Sequence, residues 1–246
     1  MTSLAMIFAV GAGVGFLGGL LGKGGSAIAT PLLVAIGVPP IVAVAAPLPA
    51  TVPATLVAAD RYRRADLVDR DVLRWAIIAG LPATVVGALL TRWVSGETLV
   101  LVTDALIVAI GIRLLTKASD AAALDPSIDM RRRTIAVAVV TGLAAGLLAN
   151  SGGFLLAPLF MTVLRLPVKP ALGTSLAVAA ALAVPGTLVH LGLGHIDWTV
   201  VAVFALGSIP ISSLGAKVAL RVDAHRLERL YGTALVLFGV AAFAFV

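Results

Sequence analysis

The sequence predicts an all-α polytopic membrane protein made of two inverted repeats, with short broken helices and about eight to ten membrane helical segments. Three observations carry that expectation. Hydrophobic residues make up 60% of the 246 and charged residues 12%, against roughly 25% charged residues in a soluble domain, and the mean hydropathy is +1.10. The stretch LLGKGGSAIATPLL (Leu20 to Leu33) returns as LLANSGGFLLAPLF (Leu147 to Phe160), with Pro31 and Pro158 in register at a spacing of 127. Finally, the basic residues alternate between loops in a way that only an odd number of crossings per half explains.

Apolar runs between charged or Gly/Pro punctuation give five segments per half. In the first half they are expected at about Leu4 to Leu21, Ser26 to Ile36, Pro40 to Ala59, Val72 to Thr91 and Thr98 to Leu115. The second half gives about Ile135 to Ala149, Gly153 to Leu164, Ala171 to Leu193, Trp198 to Leu220 and Leu227 to Phe245. The expected organisation is a single membrane domain over 1–246, with repeat 1 at about 4–116, a cytoplasmic linker at about 117–133 and repeat 2 at about 134–246. Later landmarks keep the register, since Pro82 to Pro210 and Gly87 to Gly215 are both spaced by 128. The stretch from Thr2 to Leu21 has no basic leader and no small-residue cleavage signature, so it is expected to remain as the first segment.

The second segment of each half, about 12 residues at 1.5 Å rise, reaches only about 18 Å of a hydrocarbon core near 30 Å thick. Counting it as a hairpin or as an extra crossing makes the parity odd. Lys23, Arg61, Arg63, Arg64, Arg70, Arg74, Arg113, Lys117, Arg131, Arg132, Arg133, Arg165, Lys169, Lys217, Arg221, Arg226 and Arg229 then share the cytoplasmic side, leaving Arg92 alone outside. That is 17 of the 18 basic residues, which sets inverted repeats with both termini outside. The net charge of +6 is read as this orientation signal, and nucleic acid is not an expected partner. There is no cysteine, so thiol chemistry and Cys-based metal sites are excluded, and no cofactor or metal is expected.

A buried helix start carries N–H groups without intrahelical partners and about half a positive charge, and an anion satisfies both. The two Gly-rich breaks put such starts at Gly24, Gly25 and Ser26, and at Ser151, Gly152 and Gly153, with Asn150 adding an amide. Inversion brings two starts to the midplane from opposite sides, a geometry for a small oxyanion. Lys23 either neutralises the anion or snorkels to the surface. The Pro-rich third segment (Pro47, Pro49, Pro53) and its counterpart add candidate pathway hydroxyls at Thr51, Thr55, Thr174, Ser175 and Thr187, each alternatively bonded back to its own helix. Asp104, within LVLVTDALIVAIG, is the candidate for proton coupling. The spacing of Gly11, Gly15, Gly18 and Gly19 reads as helix packing.

The duplicated Gly-rich turn, apolar helix and Pro, with Gly37-Val38-Pro39-Pro40 after the first copy and Gly173-Thr174-Ser175 after the second, resemble the TauE/SafE sulfite exporter family over nearly the full length. The resemblance implies about eight membrane helices in a four-helix duplication and export of sulfite or an organosulfonate across the bacterial inner membrane. It departs from the family pattern at Gly22-Lys23-Gly24-Gly25, at Ala45-Ala46-Pro47 and at Asn150-Ser151-Gly152-Gly153, which makes the half-sites unequal. The expected partners are a small inorganic or organic anion and the lipid bilayer, and the oligomeric state is left open. Rival readings are a passive anion channel, a membrane scaffold, and an intramembrane serine protease using Ser151 with His190 or His195, for which Ala149 replaces the expected glycine.

Overall fold

A computed structural model describes residues 3–22, 26–90, 112, 129–147 and 152–243. Among these residues the regular elements are all helices: α1 Leu4–Leu21, α2 Ser26–Ala35, α3 Pro40–Ala45, α4 Pro47–Arg64, α5 Arg70–Leu90, α6 Met130–Leu147, α7 Gly153–Thr162, α8 Val168–Gly192, α9 Trp198–Arg221 and α10 Ala224–Phe243. Among the described residues five stretches are long and apolar enough to cross a membrane: α1, α3 with α4 taken together (Pro40–Arg64), α5, α8 and α9. The chain is a multi-pass membrane protein. The expected segment from Thr98 to Leu115, apart from Ile112, lies outside the described residues, as does most of the linker. Helix α6 begins at Met130, so Arg131, Arg132 and Arg133 form its first turn and are not linker residues.

Local chemistry repeats at the same spacing of 128 as the sequence landmarks. Pro39 and Pro167 both stand in an extended conformation ahead of a helix, at φ −53 and −55, because proline has no N–H to place in the first turn. Gly37 (φ 90) and Arg165 (φ 53) both turn through the left-handed region, and so do Asp66 (φ 56) and Gly194 (φ 69). Asp69 accepts hydrogen bonds from the Asp71 and Val72 N–H groups at the start of α5, and Asp197 does the same for Thr199 and Val200 at α9. Each cap satisfies donors that the helix cannot. Asp223 caps α10 through the N–H groups of His225 and Arg226, bonds that hold its carboxyl below the usual carboxylate range.

Two glycines separate backbone strain from crowding. A Cβ added at Gly13 or at Gly194 would meet nothing within 4 Å, yet only Gly194 has a positive φ, of 69. Gly13→Ala is expected to stabilise the protein by up to about 1 kcal/mol through helix propensity, whereas Gly194→Ala is expected to cost about 1 kcal/mol through left-handed strain alone. Paired thermal melts in detergent check the opposite signs.

The core is built on helix crossings without side chains between the backbones. Gly11, Gly15 and Gly19 of α1 face the carbonyl oxygens of Phe204, Ser208 and Ser212 on α9, while Gly207 and Gly215 of α9 face those of Phe8 and Phe16. The second half repeats the arrangement, with Gly142 and Gly146 of α6 on the carbonyls of Gly80 and Thr84, and Gly87 of α5 on that of Leu143. In each case the first helix of one half packs against a long helix of the other, α1 on α9 and α6 on α5. Numbers rise together across both crossings, so α1 and α9 run the same way, as do α5 and α6.

Helices α4 and α8 cross between these pairs in opposite directions, with Leu48 beside Gly186 and Tyr62 beside Gly173. The fully buried Tyr62 donates its hydroxyl hydrogen bond to the Gly19 carbonyl at 3.3 Å and ties α4 to α1. Helix α5 runs with α8: the Asp69 N–H donates to Thr174 Oγ1 at 2.9 Å, and Gly80 lies beside Leu182. The larger apolar cluster surrounds α7 and α8, with Leu155, Leu156, Phe160, Met161 and Leu164 fully enclosed.

Candidate functional site

Helices α1, α4 and α9 enclose a small void lined by Gly15, Gly18, Gly19, Thr51, Thr55, Ser208 and Ser212, among others. Its volume of about 10 Å³ has room for about one water. The void exists because these glycines bring no side chain to the crossing while Thr51, Ala54 and Thr55 bring only small ones. Three of its four hydroxyls already donate to backbone: Thr51 to the Pro47 carbonyl at 2.8 Å, Thr55 to that of Thr51 at 2.7 Å, and Ser212 to that of Ala54 at 2.8 Å. The Ser208 hydroxyl, 2% exposed, has no hydrogen-bond partner among the described residues. A buried hydroxyl left unpaired costs about 1–3 kcal/mol, and of this set it is the one free to donate to something entering the void. In the other half of the molecule the corresponding place holds a leucine, since Leu182 Cδ2 stands 3.0 Å from where a Gly80 Cβ would be.

The short helix α7 supplies the second part of the site. Its ten residues reach about 15 Å, and Pro158 within it cannot donate to the Phe154 carbonyl. Gly152 caps its start at φ 66 with its carbonyl accepting from the Leu155 and Leu156 N–H groups at 3.1 and 3.2 Å. The Gly153 and Phe154 N–H groups therefore stand ahead of the first intrahelical bond, in a stretch that is buried from Gly152 through Pro158. A Cβ at Gly152 would lie 3.1 Å from Ala145 Cβ and 3.2 Å from Thr141 Cγ2, so α6 backs the turn closely. No ionised side chain is needed to make this a region of positive potential, because the helix start supplies it.

In the first copy the residues just before the break are described. Gly22 ends α1 at φ 65, and a Cβ there would meet Leu172 and the Ser175 hydroxyl. Ser175 Oγ lies within hydrogen-bond distance of the Gly22 carbonyl, at 3.0 Å, and of Leu172, at 2.8 Å. Ser175 thus positions the end of α1 immediately before the break, and Thr174 holds the turn into α5 through the Asp69 N–H. Neither hydroxyl points to the void that Thr51 lines. Thr187 bonds back to the Ala183 carbonyl. Ser26 opens α2, which carries Pro31 at the position that Pro158 has in α7. Lys23, Gly24, Gly25, Asn150, Ser151 and Asp104 lie outside the described residues.

His190 and His195 engage each other across the turn between α8 and α9, with their Nδ1 atoms 3.2 Å apart. Ser208 and Ser212 are the site residues that reading the segments passed over. Their signal was present in SIPISSLG, where two serines four apart share one helix face in an otherwise apolar span, while Ser213 falls to the side.

The comparisons place the chain among membrane transporters. Residues 7–242 match the family described as Sulfite exporter TauE/SafE. The chain is 32% identical over 255 residues to a "Probable membrane transporter protein" of Xylella fastidiosa (strain 9a5c), covering 99% of this chain and 96% of that one. It is 25% identical over 248 residues to "Probable membrane transporter protein YjnA" of Bacillus subtilis (strain 168), covering 95% and 97%. No solved structure gives a significant match. With apolar helices, a duplicated broken segment and a family match across nearly the whole chain, the protein belongs to the TauE/SafE sulfite exporter family.

Proposed function

We propose that this membrane transporter moves a small oxyanion, such as sulfite or an organosulfonate, out across the cytoplasmic membrane by proton-coupled alternating access. The observation that carries the reading is the buried start of α7. Gly153 and Phe154, behind the Gly152 cap, present N–H groups and the positive end of a helix inside an apolar protein, where an anion has few other partners. The opposing start at Lys23, Gly24, Gly25 and Ser26, together with Asn150 and Ser151, completes the proposed site, and Asp104 is the proposed proton carrier. Thr51 and Ser208 line the way between α1, α4 and α9, and Ser175 fixes the end of α1.

The repeats are read as inverted, about 4–116 and 134–246, within one domain of eight to ten segments and with both termini outside. Helix directions support this. Helices α5, α6 and α8 run together, α4 runs against α8, and α9 returns from α8 through the short turn 193–197 alongside α1. Matching helices α1 and α6, α4 and α8, and α5 and α9 are then each opposed, as rocking of one repeat against the other requires.

The test is sulfite efflux from proteoliposomes under an imposed pH gradient. Saturable flux that responds to the gradient is expected; conductance in discrete steps without saturation overturns the exporter reading. Ser208→Ala is expected to lower that flux about tenfold, the worth of one hydrogen bond to a charged group, while thermal stability holds or rises. Unchanged flux removes Ser208 from the pathway.

A further inference from the structure

On the outer face of α4, where it meets α9, a cleft of about 420 Å³ is lined by Leu56, Val57, Asp60, Arg61, Arg64 and Ser213. Helical spacing explains the face: positions 56, 57, 60, 61 and 64 fall on one side of α4, opposite the buried Thr55, Ala58, Ala59 and Tyr62. The wall is apolar at one end, with Leu56 52% and Val57 38% exposed, and becomes basic within about two turns. Asp60 is already committed, to Arg63 and to Arg64 at 2.6 Å. Arg61 turns the other way, donating from Nε to the Ser213 hydroxyl at 2.8 Å. A neutral hydroxyl leaves its charge uncompensated, and its terminal nitrogens keep the planar fork that matches a phosphate. Asp60, Arg61 and Arg64 together leave the cleft with a net charge of +1.

We propose that this cleft is a binding site for an anionic phospholipid, with the headgroup phosphate on Arg61 and Arg64 beside Ser213 and an acyl chain laid along Leu56 and Val57. The charge selects the phosphate, and the apolar wall running from it selects a lipid over a soluble anion. A zwitterionic headgroup brings its own cation next to Arg61 and loses that advantage. The site stands on the membrane placement of α4 and α9 and is independent of the cargo, so a failed efflux measurement leaves it intact.

The test uses the full chain in detergent, titrated with phosphatidylglycerol or phosphatidylcholine and followed by its thermal melt. Phosphatidylglycerol is expected to act at about fivefold lower concentration, the effect of one basic residue near a lipid phosphate. Arg61→Gln is expected to abolish that preference, and Arg229→Gln, an exposed basic change outside the cleft, to keep it. Equal action of the two lipids on wild type, or a preference that survives Arg61→Gln, overturns the proposal. So does inorganic phosphate matching phosphatidylglycerol, which would mark a soluble-anion site. Should Arg61→Gln not fold, Leu56→Trp on the exposed wall decides: brominated phosphatidylglycerol is expected to quench the added tryptophan at about fivefold lower concentration than brominated phosphatidylcholine, and equal quenching overturns the site.

Discussion

Replacing Gly19 or Gly146 by alanine is expected to destabilise the protein by about 3 kcal/mol, the upper end of ordinary overpacking. Both residues sit where two helix backbones touch. A Cβ at Gly19 would run into the Ser212 carbonyl and lie 2.9 Å from the Ala216 nitrogen; at Gly146 it would run into the Thr84 carbonyl and lie 2.6 Å from the Ala88 nitrogen. Side chains can swing aside, but backbone in the middle of a helix cannot, so relief requires separating α1 from α9, or α6 from α5. That separation loses the van der Waals contact that holds membrane helices together where no hydrophobic force distinguishes lipid from protein. The two variants are expected to behave alike because each would drive a Cβ into a backbone carbonyl and nitrogen of the facing helix. Unfolding followed by SDS titration, with Gly13→Ala as the reference, measures this. If Gly19→Ala unfolds at the same denaturant fraction as Gly13→Ala, the close crossing is wrong.

The same crossings show what the sequence carried. Gly11, Gly15 and Gly19 were recognisable as a packing stripe from their spacing of four, but spacing says only that a helix faces something. It does not say that the partner is α9, almost two hundred residues away. Duplication was legible because landmarks such as Pro82 and Pro210 survive in register. The caps Asp69 and Asp197 share that register and were missed, since an acidic residue between apolar runs also reads as ordinary loop. The break between α3 and α4 at Ala46 follows from Pro47 and Pro49, which remove two of three consecutive amide donors, although the run looked continuous by hydropathy alone. For the site, the Gly-rich turns were visible as breaks in apolar sequence. Ser208 was not, because being unpaired depends on what three separate helices fail to bring to it.

Replacing Gly152 by leucine is expected to lower sulfite flux at least about 100-fold, the loss of two hydrogen bonds to a charged group. The residue caps the start of α7 at φ 66, so any side chain there strains the backbone by about 1 kcal/mol. Ala145 and Thr141 already stand 3.1 and 3.2 Å from the Cβ position, so a larger group crowds α6 and is expected to displace the turn that sets the Gly153 and Phe154 N–H groups. Strain and displacement can be separated. Gly194→Ala carries nearly the same backbone penalty, at φ 69, but stands at a turn with nothing within 4 Å. It is expected to melt lower by the strain alone, less than Gly152→Leu, while transporting like wild type, and Gly152→Ala is expected to fall between the two in flux. Flux assays on all three, normalised to folded protein, therefore read the site apart from the fold. Sulfite flux through Gly152→Leu at the wild-type rate and KM would place the anion somewhere other than the start of α7.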